Sequence, residues 1–242
     1  MYKLLKKSSK NLLGEIYYYF FKKYQEKGNR SLIYHAFGSD LKHDTYGISI
    51  DINRFSEHMK FLINNYEVTH LNNLDSDEIN VSVTIDDGYK DTLNAIDVLI
   101  EKNMPFTLYI SPENLDKIDY LSSKDIKDIS MINKCIIGTH GYSHRRLSTL
   151  DLAQQHTELH KSKIVLEELI GKQVNTLSYP HGSFNRDTIS IAKELGYKSA
   201  ASSIKGFNNL KTDPFKMRRI EIIASDKLRE LSKKIKGYYD FY

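Results

Sequence analysis

Cysteine is nearly missing from this chain. Cys135 is the only one in 242 residues, so no intramolecular disulfide framework can hold the fold. Its neighbours Ile136 and Ile137 place it in an apolar run, where a thiol is expected to be buried and inert. Tryptophan is absent, and 17 tyrosines and 10 phenylalanines supply the bulky aromatic surface instead. No stretch approaches the roughly 20 apolar residues of a membrane-spanning helix. An apolar run at 16–21 is short, aromatic and followed by Lys22 and Lys23, with no small-residue cleavage site. That is a poor signal peptide, and the expected location is cytoplasmic. Arg-rich helices, zinc-finger spacings and aromatic nucleic-acid signatures are missing too, so nucleic acid is not an expected partner. Neither an internal repeat nor a low-complexity linker divides the chain.

What is present suits one α/β domain with a sizeable core, at 40% hydrophobic residues. The net charge of +4 is unevenly spread. Residues 1–30 carry eight lysines and arginines against two glutamates, and residues 216–242 carry eight against four. Basic ends therefore flank an acidic middle, as expected of a metal-binding centre with termini near something anionic. Residues 1–30 read as a basic amphipathic helix, with Leu4, Leu5, Leu12, Leu13, Ile16, Tyr17 and Phe20 near one face. Such a helix could lie on an anionic membrane or pack on the domain with its lysines in water. The remainder, 31–242, reads as the domain proper.

Strand patterns fall at 31–37, 66–71, 81–85, 106–110, 135–139, 174–179, 197–202 and 217–223. Helical patterns fall between them at 51–65, 89–103, 122–132, 150–170 and 185–195, with a last one at 226–236. This alternation predicts a parallel barrel or a doubly wound sheet, and residues with chemistry at strand C-termini favour the barrel.

The chain is organised around Val81-Ser82-Val83-Thr84-Ile85-Asp86-Asp87-Gly88, an apolar strand delivering two carboxylates to its C-terminal end. Gly88 supplies the freedom for the turn that aims the two acids differently. An Asp-Asp-Gly turn capping a helix would look the same. His140 and His144 follow a later strand at a spacing that lets two imidazoles face one point. Two histidines and one carboxylate complete a site that leaves a position open for water, and the second carboxylate is then free to act as its base. His156 and His160 share the spacing, with Glu158 between them, but lie within a long amphipathic helix and read as a solvated face. His43, His58 and His70 have no partner pattern.

Thr84-Ile85-Asp86-Asp87-Gly88 resembles the first motif of the polysaccharide deacetylase family, the NodB-homology or family-four carbohydrate esterases. Residues 139–147, from Thr139-His140 through Ser143-His144 to Leu147, are similar to its second motif. Ser178-Tyr179-Pro180-His181-Gly182 resembles its third, and Tyr34-His35 resembles the Tyr-His of a subgroup that includes exopolysaccharide enzymes. The likeness runs over about residues 31–225. It implies a distorted (β/α) barrel of about seven parallel strands and divalent-metal hydrolysis of N-acetyl groups on sugars. It further implies Asp86 as catalytic base and Asp87, His140 and His144 as metal ligands. Zinc is the expected ion, with nickel, cobalt and iron also fitting. Tyr179, Pro180, His181 and Gly182 fall on the substrate side, with the His181 backbone N–H as oxyanion donor, and Arg219 is grouped with them.

Two departures stand out. The third motif's arginine, which orients the base in the family, aligns with Ser178, leaving Arg218 or Arg219 as its replacement. The family's late histidine, source of the general acid, is absent, because no histidine follows His181. His35 or His181 then becomes the candidate acid, although His35 also reads as a core histidine on an apolar strand. The expected substrate is an acylated amino sugar, polymeric or lipid-linked, bearing acetyl or formyl. A sugar O-acetyl esterase and a metal-containing carbohydrate-binding protein that has lost turnover are the alternatives.

Overall fold

The computed structural model describes residues 13–22 and 27–241. Most of the expected N-terminal helix lies outside these residues, but 13–22 is helical and ends in a π-helical turn, Tyr18–Lys22. Eight strands follow: β1 (Gly28–Tyr34), β2 (Glu67–Val68), β3 (Ile79–Ile85), β4 (Phe106–Ile110), β5 (Cys135–Thr139), β6 (Thr176–Ser178), β7 (Ser199–Ala201) and β8 (Arg219–Glu221). Between and after them run six α-helices: α1 (Ile52–Asn65), α2 (Thr92–Glu101), α3 (Ser123–Ser130), α4 (Leu152–Ile170), α5 (Arg186–Glu194) and α6 (Leu228–Ile235).

All named strand pairs are parallel, in the order β7-β6-β5-β4-β3-β1-β8, with β2 beside the start of β3. A single parallel bridge, Ala201 to Met217, joins the two ends of that order. The result is a nearly closed seven-stranded barrel, the expected fold. Each crossover carries chain back over the outside, so both faces of every central strand are buried.

The alternation in β3 sorts two buried faces. Val81, Val83 and Ile85 pack outward with Phe55, Ile96, Leu99 and Leu108 in the main core. Asn80, Ser82 and Thr84 share the opposite face, where the register sets Asn80 beside Asn29 and Ser82 beside Ser31. Some of those polar groups pair across strands: Asn29 donates to Asn80 at 2.7 Å, and the Ser82 hydroxyl donates to Asn29 at 3.0 Å, whereas Asn80 Nδ2 and the Ser31 hydroxyl are buried without a partner. Continuing that face past the end of β3 reaches Asp86, and continuing the matching face of β1 reaches His35. The same register places Arg219 of β8 inward, beside Ser31.

Caps fix where the helices begin. Asp151 and Gln154 form a reciprocal capping box at the start of α4, and Gly171 in the left-handed region ends it. At the N-terminus the charge reading needs one correction. Arg30 is fully buried within β1, its guanidinium donating to Asp240 and to the Lys234 carbonyl. It staples the C-terminal segment to the barrel and adds nothing to a basic surface.

Candidate metal centre

The C-terminal mouth of the barrel opens into a cleft of about 550 Å³ whose lining includes His35, Asp86, Asp87, His140, His144 and His181. The segments that follow β1, β3, β5 and β6 deliver these six residues. Asp87 departs from the strand geometry of Asp86 by adopting φ +73°, and Gly88 follows at +74°. That left-handed pair is what turns the two adjacent carboxyl groups to different places. A side chain at Gly88 would also meet the tip of Ile110 at 2.6 Å, which that side chain could yield, so it is the positive φ that calls for glycine.

Asp87 Oδ1 lies 3.3 Å from His140 Nε2 and 3.1 Å from His144 Nε2, yet it is buried without a properly aligned hydrogen bond. Burial works against ionising Asp87, but the imidazoles hold its carboxyl well below the usual carboxylate range. His140 Nδ1 donates to the Ser178 carbonyl at 2.8 Å, which fixes the tautomer and leaves the Nε2 lone pair facing Asp87. One donor atom from each of Asp87, His140 and His144 lies within 4.8 Å of the others. A buried carboxylate oxygen with one ring nitrogen of each of two histidines converging on it is a donor set that suits a divalent cation of the zinc kind. The expected ligand set is therefore brought together.

Asp86 is buried beside this cluster, with Oδ2 3.9 Å from His140 Nε2. Arg219 grips it with two parallel bonds of 2.8 Å, one to each oxygen. The Ser178 hydroxyl donates to Asp86 Oδ2 at 2.9 Å and accepts from Arg219 at 2.6 Å. Burial would raise the Asp86 carboxyl, but Arg219 and then His140 pull it below its ordinary value. The choice between Arg218 and Arg219 is thus settled by strand register. Arg219 is not among the substrate contacts, contrary to expectation: it is buried behind Asp86, and its remaining bonds go to Thr84 and the Ser202 carbonyl.

The third-motif residues divide. Tyr179 is buried, with its hydroxyl spent on the Phe215 carbonyl and its N–H on Ala201, so it forms wall and offers no polar contact. Pro180 is buried too and packs against Gly141. His181 sits at φ +57°, its ring 4.4 Å from that of His144. Its N–H bonds no acceptor among the described residues. Partial burial, then the neighbouring His144, push its imidazole down to about 4. Gly182 at φ +64° lets Ser203 approach, since a side chain there would meet it at 2.9 Å. His35 follows β1, with a buried Nδ1 that has no partner.

Three features had weak or no sequence signals. His43 donates to or accepts from Tyr89 at 3.0 Å on the cleft wall, joining loop 38–49 to the start of α2. The left-handed backbone of Asp87, His144 and His181 has no mark beyond nearby glycines. Glu158 is buried rather than solvated and bonds the loop between the two histidine ligands. Its position one turn from Gln155 and Ser162 on the buried stripe of α4 could have revealed it. His156 and His160, by contrast, lie half-buried and exposed on that helix with rings stacked at 5.6 Å.

A parallel barrel whose strand ends gather two imidazoles and a carboxylate, with a second, arginine-held carboxylate alongside, defines a barrel protein with a candidate hydrolytic metal site. Residues 73–200 match the family model described as polysaccharide deacetylase, and the chain belongs to that family. A poly-β-1,6-N-acetyl-D-glucosamine N-deacetylase of Staphylococcus aureus is 26% identical over 160 residues, covering 61% of this chain and 55% of the relative. The chain spans about half the length of the curated relatives it matches. Among solved structures, the Streptococcus pyogenes deacetylase PplD in complex with acetate superposes with a TM-score of 0.76 at 20% identity, covering 86% of this chain and 98% of that one. IcaB from Ammonifex degensii gives 0.75 at 18%, covering 88% and 98%. At these identities the structures establish the shared fold.

Proposed function

We propose that this chain is a hydrolase that removes N-acetyl or N-formyl groups from amino sugars of a cell-surface polysaccharide or a lipid-linked glycan. The observation that carries this is the adjacency of Asp86, held by Arg219 and Ser178, to the Asp87–His140–His144 cluster at the cleft mouth. The deacetylase names of the relatives support the substrate class.

Asp87, His140 and His144 would hold a divalent cation, zinc being the best match to the donors. When bound, such an ion supplies Lewis-acid polarisation of a carbonyl and makes water more acidic. Asp86 takes the proton from the attacking water, its carboxyl kept in the ionised form by Arg219. The unpaired N–H of His181 stabilises the carbonyl oxygen as negative charge builds, a contribution worth about 3 kcal/mol in comparable sites. As the C–N bond breaks, the amine nitrogen needs a proton. We assign that transfer to His35, which shares the inward face with Asp86 and has an unpartnered buried nitrogen. The His181 ring, pushed down to about 4, is neutral near pH 7 and is the poorer donor.

The test is zinc loading followed by assay of acetate and formate release from a panel of acylated amino sugars. The expected result is release from at least one substrate, lost by a factor of about 10² to 10⁴ in Asp86→Asn and His35→Ala. Release undiminished in Asp86→Asn would overturn the mechanism. Zinc bound with no release from any substrate would favour a binding protein that has lost turnover, a reading to which the absent late histidine already points.

A further inference from the structure

The one pattern on α4 that the chemistry leaves unused, His156-x-Glu158-x-His160, has its centre buried against the metal centre. Glu158 Oε2 accepts the backbone N–H groups of Tyr142 and Ser143, each at 2.9 Å, and Oε1 accepts the Ser143 hydroxyl. Two successive amides aimed at one oxygen hold a short stretch of backbone in a single curvature. A side chain built on Gly141 would sit 3.1 Å from Pro180 and 3.4 Å from Glu158, so the loop is pressed between them. One turn on, Lys161 Nζ covers the face of the Tyr142 ring at 3.8 Å.

The loop needs such a clamp. Gly141 and His144 both stand in the left-handed region, at φ +65° and +59°. A non-glycine residue there is strained and persists only where its surroundings over-determine it. His140 is held from β4, its N–H bonded to the Ile110 carbonyl and its carbonyl to the Ser111 hydroxyl. His144 has no such support of its own among the described bonds. Ser143, immediately before it, takes its support from Glu158.

We propose that Glu158 is a positioning residue for the metal centre: its buried carboxyl clamps the loop between His140 and His144 and thereby sets the affinity of the cluster for a divalent cation. The inference rests on the cation-site reading above. It assigns to a helix residue, outside all three motif stretches, control over the geometry of the second histidine ligand.

Zinc affinity, measured by competition with a chromophoric chelator at pH 7.5, is the direct test. Glu158→Leu should weaken zinc by about 10- to 100-fold, the usual scale for losing an outer partner of a metal ligand. Glu158→Gln, which retains an acceptor oxygen for the two amides, should recover most of that loss. Leu159→Ala, a buried neighbour in the apolar cluster beside α4, controls for general loosening and should lower the melting temperature with zinc affinity unchanged. The absorption of the cobalt-loaded protein should shift in Glu158→Leu and not in Leu159→Ala. Wild-type affinity in Glu158→Leu, or equal losses in Glu158→Leu and Leu159→Ala, would overturn the proposal while leaving the deacetylase reading intact. A wild-type chain that binds no zinc, cobalt or nickel would overturn both.

Discussion

Asp86 is a buried acid that stays ionised because Arg219 meets it with a two-pronged donor fork and Ser178 adds a third bond. Removing one partner of a buried pair leaves the other charge uncompensated, at a cost of about 3–5 kcal/mol. Arg219→Met should therefore destabilise the fold by that order at pH 7, seen as a lower urea midpoint, and should abolish turnover. The pH sign follows from the depressed Asp86 carboxyl. The stability it contributes is present above the unfolded pKa and is lost as pH falls through the lower folded value. The gap between wild type and Arg219→Met should therefore narrow at acid pH. A gap that widened would mean that the pair is not what stabilises this corner. Asp86, Asp87, His140 and His144 were all legible in the sequence, since short motifs carry them. Arg219 was legible only as one of two adjacent arginines. Which of them faces inward is decided by the pairing of β8 with β1, a long-range register that local pattern does not encode.

Among the elements, the pattern was readable where an apolar strand is followed by a capped helix, as β4 is by α3 and β5 by α4. What escaped was the polar inner face of the barrel, where Asn29, Asn80 and Ser82 bond one another across strands. His58 on α1 is a similar case. Its Nδ1 accepts from Tyr34 of β1 at 3.2 Å, and its Nε2 donates to the Asp226 carbonyl at 3.1 Å, before α6. Three elements thus meet on one neutral imidazole. Burial pushes it from 6.5 down to about 4. Between those values the unfolded chain binds a proton that the folded chain does not, so stability should rise with pH across that window and be complete above it. The shift corresponds to about 3 kcal/mol. Urea unfolding at pH 7.5 and 4.5 should show wild type losing more stability than His58→Gln. Equal losses would assign the acid sensitivity elsewhere.

Taken as a whole, the molecule packs its helix 13–22 against its C-terminal segment. Helix 13–22 docks on the C-terminal segment through Tyr18, stacked on Tyr238 at 3.9 Å, and through Glu15, which bonds Lys233 at 2.7 Å. Gly14 makes the contact possible, because a side chain there would lie 2.7 Å from the Tyr238 carbonyl oxygen. Docked this way, the helix turns outward Leu13, Ile16 and Phe20, which are 53%, 46% and 72% exposed. Their spacing of three and four residues makes one apolar stripe, in a stretch of chain rich in lysine. No helix among the described residues is long and apolar enough to cross a membrane. An apolar stripe in a lysine-rich stretch of sequence suits the surface of an anionic bilayer, with apolar side chains entering at the headgroup level. The protein should therefore sediment with vesicles containing phosphatidylglycerol at low salt and much less with phosphatidylcholine alone. Raising ionic strength should weaken that association, because the attraction is screened within a Debye length. Ile16→Ser combined with Phe20→Ser should reduce it at least tenfold, while zinc affinity stays at the wild-type value, since neither residue touches the cleft. Binding to neither vesicle, or a concentration-dependent dimer abolished by the same substitutions, would show that the stripe is covered by something other than lipid.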